Sequence, residues 1–538
     1  MGNEINMILN FPKKLFIIFA ILAIQGFFLY AFYINEGLIF NFKISYLTKV
    51  YLPSYTLSLN NFRLTANNHL ASAFPAFNFN DTYSDNISSV SDQYAKSIPV
   101  LLYHGIIEKP DGENMLIDNF RDQMFALKKA GWQTVSIEDF YKFMKGEKNL
   151  PEKSFLLTFD DGRKDSYYPV DPILKALDYN AAMFVISGRS LGEESKTNPF
   201  HLSEKELKRM TKGGRWEIQS HGKDDHDFYK ISADGSEGHF LSNKLWREDE
   251  QRIETEEEFK ERIYRDLASS KNELESAFGI KVSGFAYPFG DFGQSSINFH
   301  GAESIVPDIV KSVYPLSFYQ VWPGKGSSFN YPNENGSFIK RIDVKPNWSS
   351  DNLMAVLDAA IEKSLPYMDN FADYNGWIKT WGNVDFKDNS MIISAPASTT
   401  GSMVFFEGTD LWLNYVLKAD VYLGKGQTYS VIAGYKDNSN YVFCSFTPSG
   451  VRLEQMVRGE RKILDEFKGK FDLLEKEKNI GISFAGTDAA CYLNNKRVID
   501  TSDIDEKLNK GGIGFKTWDP QLNNSEITIK NVIVEKIK

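Results

Sequence analysis

The sequence predicts an α/β fold in three parts: one N-terminal transmembrane helix, a (β/α)7 barrel, and an all-β sandwich of jelly-roll or concanavalin-like type. Three observations predict it. An apolar run of roughly 20 residues stands near the start, strand-like and helix-like segments then alternate, and after about residue 366 the helices stop. At 538 residues the chain is too long for a single core. Its composition, 42% apolar and 25% charged, is that of a globular protein. A formal net charge of −10 argues against nucleic acid as a partner, because phosphate binding needs a basic face. It leaves polysaccharide open.

Residues 1–36 read as a cytoplasmic tip and membrane anchor. "LFIIFAILAIQGFFLYAFYI", 15–34, is apolar apart from Gln25 and long enough to span a bilayer. Lys13 and Lys14 precede it and Glu36 follows, so the N-terminus is expected in the cytoplasm and the rest of the chain outside. The run exceeds a signal-peptide core, and the nearest A-x-A pattern, Ala71-Ser72-Ala73, lies far downstream, so the anchor is expected to stay uncleaved. Residues 37–96, rich in Asn, Ser and Asp without a period, read as an exposed spacer.

Residues 97–365 carry the barrel. "IPVLLYHGI", "SFLLTFDDG", "AAMFVISG", "WEIQSHG", "VSGFAYPFG", "SFYQVW" and "FIKRIDV" are short apolar runs of strand type. Between them lie helical patterns, with stops or caps at Gly131 and Ser203. The longest, "TEEEFKERIYRDLASSKNELESAFG", puts Phe259, Ile263, Leu267, Leu274 and Phe278 on one side. In residues 366–538 every run is strand-like, and Leu413, Tyr415, Leu417, Ala419, Val421 and Leu423 alternate as one face of a half-buried strand. Cys444 and Cys491 are the chain's two cysteines; a disulfide and two buried thiols are both compatible with the sequence.

Chemistry-bearing residues stand at three strand ends. "TFDDG" closes one strand with Asp160 and Asp161, "SHGKDDH" places His221 and His226 five residues apart, and "AYPFG" brings Pro288, Phe289 and Gly290. Residues five apart on a helix point about 140° away from each other, so the histidines can meet only if the stretch is a loop. In an α/β barrel such loops open onto the carboxyl face. One carboxylate and two imidazoles then make a facial set with coordination positions left for water and substrate.

These residues resemble the polysaccharide deacetylase family, the carbohydrate esterases (family 4) built on the NodB homology domain. The order YH, TFDDG, SHxxxxH, YPFG is that of the family, over roughly residues 97–350. The histidine spacing and the early Tyr103-His104 are similar to the branch that deacetylates poly-β-1,6-N-acetylglucosamine. The resemblance implies a distorted barrel that removes acetyl groups from N-acetylated sugars. It implies Asp161, His221 and His226 as ligands of a divalent metal ion, with zinc expected. Asp160 would be the general base, and the backbone N–H of Phe289 would hold the oxyanion. Pro288 of the motif is expected at the substrate. Asp291 is read as a sugar contact or a turn residue, and Trp322 as a stacking ring or core.

Two departures stand out. Many members carry an arginine just before the Pro-aromatic-Gly motif, where Ala286 and Tyr287 stand here; Arg341 on the last strand is the candidate replacement, beside a purely structural role. The late histidine that protonates the leaving amine is missing from "IKRIDV". The general acid is unassigned, with His104 the candidate beside a structural reading. His201, His239 and His300 are expected at the surface. Asp224 and Asp225 are expected as solvated loop residues or as partners of the histidine rings. The long insert after His226 is expected to shape access. In the sandwich, Trp377, Trp381, Trp412 and Trp518 are divided between core and a sugar platform, so glycan contact by this domain stands beside a structural role. The chain is expected to be a single-pass protein of the cytoplasmic membrane, deacetylating an N-acetylhexosamine polymer outside it. An O-deacetylase and a non-catalytic glycan-binding protein are the rivals.

Overall fold

A computed structural model describes residues 94–537 apart from 193, 194, 196, 322–325, 334–336 and 373–375. The expected membrane helix, most of the spacer and Trp322 lie outside the described residues. Among the described residues no helix is long and apolar enough to cross a membrane. The described residues up to Ser166 and those from Ile173 onward form one compact unit.

Eight parallel strands build the first part: β1 Val100–Tyr103, β2 Gln133–Thr134, β3 Ser154–Phe159, β4 Ala181–Val185, β5 Trp216–Ser220, β6 Gly284–Ala286, β7 Leu316–Val321 and β8 Phe338–Asp343. They run in the order β1-β8-β7-β6-β5-β4-β3-β2, and β1 also pairs with β3. Seven strands therefore close a ring, as the sequence predicts. The two-residue β2, too short to show a period, is an addition on the start of β3. Every residue of β3 and β4 is buried, as befits parallel strands covered on both faces. Val100, Leu156, Phe184, Phe318 and Ile339 share one core cluster with Phe140 of the helix Ile137–Met144.

The long helix Glu256–Phe278 starts in a capping box between Thr255 and Glu258 and ends at the left-handed Gly279. It buries Phe259, Ile263, Leu267 and Leu274; Phe278 is half-buried. A helix not foreseen, Ala302–Val313, follows β6; Pro307 inside it hides the pattern, although Ala302, Val306 and Val310 keep a buried i, i+4 spacing.

The sandwich packs an eight-stranded antiparallel sheet on a seven-stranded one. In the strand Tyr415–Lys425, Tyr415, Leu417, Ala419, Val421 and Leu423 face the core as predicted, while Leu413 lies outside it and is exposed. Trp377 and Trp412 are core residues, Trp381 is half-buried and Trp518 is exposed. A disulfide joins Cys444 of one sheet to Cys491 of the other. Tyr331, ahead of β8, donates to Glu362 at 2.9 Å, and Ser328 N donates to the buried Glu407 at 2.8 Å. Burial, then the neighbouring Asp410, pushes the Glu362 carboxyl up to about 8.

Candidate metal centre and active site

The site forms where β3, β5, β6 and β8 end. Asp160 follows β3 directly, and Asp161 takes the left-handed conformation (φ 67°), followed by Gly162 at φ 64°. An aspartate tolerates this at modest cost, and the reversal lets adjacent carboxylates serve different partners.

Asp160 is 1% exposed. Arg341 of β8, fully buried, grips it with two bonds: Nη1 to Oδ1 at 2.6 Å and Nη2 to Oδ2 at 2.8 Å. Burial pushes the Asp160 carboxyl up, but the charge of Arg341, ahead of that of His221, holds it below the usual range.

Asp161 meets the histidines. Its Oδ1 lies 3.4 Å from His221 Nε2 and 3.1 Å from His226 Nε2. Burial raises this carboxyl, yet the bonds from both rings hold it well below its ordinary value. His221 donates from Nδ1 to the Ala286 carbonyl at 2.8 Å, which fixes the ring and aims Nε2 inward. Burial lowers the His221 imidazole, but Asp160 and Asp161 raise it by more.

The five-residue spacing works because the loop is tied to the long helix. Lys223 N and Asp224 N donate to Asp266 at 3.0 and 2.8 Å, and Ser270 Oγ donates to the Gly222 carbonyl at 3.0 Å. Gly222 has φ 76°, and any Cβ there would run into the Asp225 carboxylate at 1.8 Å.

The three donor atoms lie within 4.8 Å of one another. Donor atoms that share one metal ion sit about 3–3.5 Å apart, and Asp161 Oδ1 lies 3.4 and 3.1 Å from the two ring nitrogens. One carboxylate oxygen and two imidazole nitrogens are a borderline donor set that suits zinc. The residues present fit a divalent metal.

Other expectations come out differently. Asp225 is not solvated: it is 1% exposed, neither oxygen has a partner among the described residues, and burial pushes its carboxyl well above the usual range. Asp224 is exposed as expected, and the His221 ring bonds a backbone carbonyl rather than either aspartate. His201 is buried, and burial followed by Arg189 lowers it to about 4, which keeps it neutral. His300 is exposed.

Asp291 has no acceptor position to offer a sugar. Its oxygens take the N–H groups of Gly293 and Ser295, the His239 ring and the Ser242 hydroxyl. His239, expected at the surface, is therefore part of the site's wall. Nothing in "EGHFLS" announces this, because the contact spans 52 residues. Pro288 is buried and opens the short turn Pro288–Gly290, inside which Phe289 has φ 58°. His104 is half-buried and lines a cleft of about 330 Å³ with Tyr103, Gln320 and Asp343.

Residues 147–302 match the family model described as polysaccharide deacetylase, so this chain carries a domain of the polysaccharide deacetylase family. The poly-β-1,6-N-acetyl-D-glucosamine N-deacetylase of Escherichia coli (strain K12) is 28% identical over 180 residues, 32% of this chain and 27% of that protein. The protein of the same name from Staphylococcus aureus (strain MSSA476) is 30% identical over 171 residues, 32% of this chain and 52% of that protein. The chain thus spans about a quarter of the first relative and about half of the second. A solved de-N-acetylase structure from Aggregatibacter actinomycetemcomitans aligns with a TM-score of 0.41 at 20% identity, over 48% of this chain and 99% of that one.

Proposed function

We propose that this chain is a metal-dependent deacetylase of an N-acetylhexosamine polymer, of the poly-β-1,6-N-acetylglucosamine type, working outside the cytoplasmic membrane. The observation that carries the reading is the division between adjacent aspartates. Asp161 converges with His221 and His226 at 3.4 and 3.1 Å, while both oxygens of Asp160 are taken by the Arg341 fork and its Oδ2 stands farther off, 3.9 Å from His221 Nε2. Asp161, His221 and His226 would hold a divalent ion, whose chemistry there would be to acidify a water and polarise the acetyl carbonyl. Asp160, kept ionised, takes the proton of the attacking water. Arg341 orients it and prevents premature protonation. The N–H of Phe289 donates to the oxygen on which charge develops. His104, beside the cleft, stands as the donor to the leaving amine. The similarity to two poly-β-1,6-N-acetyl-D-glucosamine N-deacetylases supports this substrate. The apolar run 15–34 and the Cys444–Cys491 disulfide support an anchored, oxidising location.

The test is acetate release from poly-β-1,6-N-acetylglucosamine by the full-length chain. Zinc-loaded protein is expected to release acetate, chelation to abolish it and added zinc to restore it. Zinc-loaded protein that frees no acetate from any N-acetylated glycan refutes the reading.

A further inference from the structure

The insert that follows His226 builds an aromatic ledge beside the metal ligands. Its first hairpin pairs Phe228–Lys230 with Glu237–His239, and Phe228 stands opposite His239. Both rings lean on Phe289. The His239 imidazole lies flat on it, 4.5 Å between centroids at 10°, and Phe228 lies 5.6 Å away. Phe289 also packs against the His226 ring, with 4.6 Å between centroids. Phe228 is 56% exposed and Phe289 39%, so two large apolar rings meet the solvent together at the rim of a catalytic centre. Contiguous exposed apolar surface in such a place marks a ligand groove.

The ledge is held in position. Asp291, fully enclosed, binds His239 Nδ1 at 2.6 Å and the Ser242 hydroxyl, tying the insert to the turn that carries Phe289. Rings fixed in advance lose little entropy when a partner stacks on them. Next to Gly290, Gln320 lines the cleft shared with His104 and Asp343. A polymer crossing the barrel mouth would meet both the polar groups of this cleft and the aromatic rings.

We propose that Phe228 and His239, with Phe289, form a subsite that stacks on the apolar C–H face of a sugar residue adjoining the one being deacetylated. This rests on the function proposed above. Phe228 and His239 are binding residues and Asp291 is a positioning residue.

The experiment compares Phe228→Ala with the native full-length chain, both zinc-loaded and matched in metal content. The substrate is a β-1,6-linked N-acetylglucosamine pentamer. KM is expected to rise about five- to tenfold with kcat within about twofold, as the loss of one ring stack implies. Phe228→Trp is expected to restore KM. Unchanged KM in Phe228→Ala overturns the subsite. Calorimetric titration with the same pentamer separates the two readings. If the native chain frees no acetate but binds the pentamer at least fivefold more tightly than Phe228→Ala, the deacetylase reading falls and the subsite stands. Equal binding by the two, or binding by neither, overturns the subsite.

Discussion

Arg341→Met puts the proposed base to the test. Methionine keeps much of the buried volume but removes both guanidinium bonds to Asp160, at 2.6 and 2.8 Å. Asp160 is 1% exposed and Arg341 0%, so water does not replace them. Removing one partner of a buried pair costs about 3–5 kcal/mol. Two charge-assisted bonds at about 1.5–3 kcal/mol each give a similar range. Asp160 then takes up a proton, because burial raises its carboxyl and Arg341 is the largest opposing influence. If about 3 kcal/mol falls on the ionisation, at about 1.4 kcal/mol per pH unit the acid limb of acetate release moves up by about two units. In the native chain this carboxyl is held low, so its stabilisation is present above the unfolded pKa and lost as pH falls through the folded one. In the variant the sign reverses: stability is greatest in acid and declines as pH rises. The assay is kcat/KM for acetate release from about pH 4 to 10, with thermal unfolding at about pH 5 and 8. An acid limb within about half a unit of the native one would show that Arg341 does not govern Asp160.

Asp160→Asn is expected to lower acetate release about 10²- to 10⁴-fold while zinc content, read by elemental analysis, stays the same; loss of zinc would make Asp160 a ligand instead. His226→Ala leaves two of the three donor atoms and is expected to lose most bound zinc on dialysis, whereas native metal content would remove His226 from the site. Glu362→Gln addresses alkaline stability. Burial, then Asp410, raises this carboxyl to about 8, so its protonated form favours the fold and the native chain loses stability as pH rises from about 4.5 to 8. The glutamine variant should escape this, gaining up to about 4 kcal/mol relative to native between about pH 5 and 9 in chemical unfolding. A difference that does not grow with pH would place the Glu362 ionisation elsewhere.

Much of this is local chemistry and could be read in advance. The seven strands are short apolar runs, and their ends carry Asp160, Asp161, His221 and Phe289 because a parallel barrel turns every carboxyl end to one face. The five-residue spacing of the histidines excluded regular elements and required a loop, which Gly222 provides. The helix Ala302–Val313 escaped because Pro307 interrupts its pattern, and β2 because two residues have no period.

What the sequence determined by itself was therefore the order of elements and the identity of the converging groups, since both depend on near neighbours. Tertiary structure decided pairings across long stretches of chain. Arg341 reaches Asp160 over 181 residues. Asp291 spends its oxygens on His239, Ser242 and two backbone amides, not on solvent. Asp225, polar by type, is buried because the turn at Gly222 folds it inward. In each case residue type sets what a side chain can bond, and only the closed barrel sets which partner stands within about 3 Å and whether water can compete.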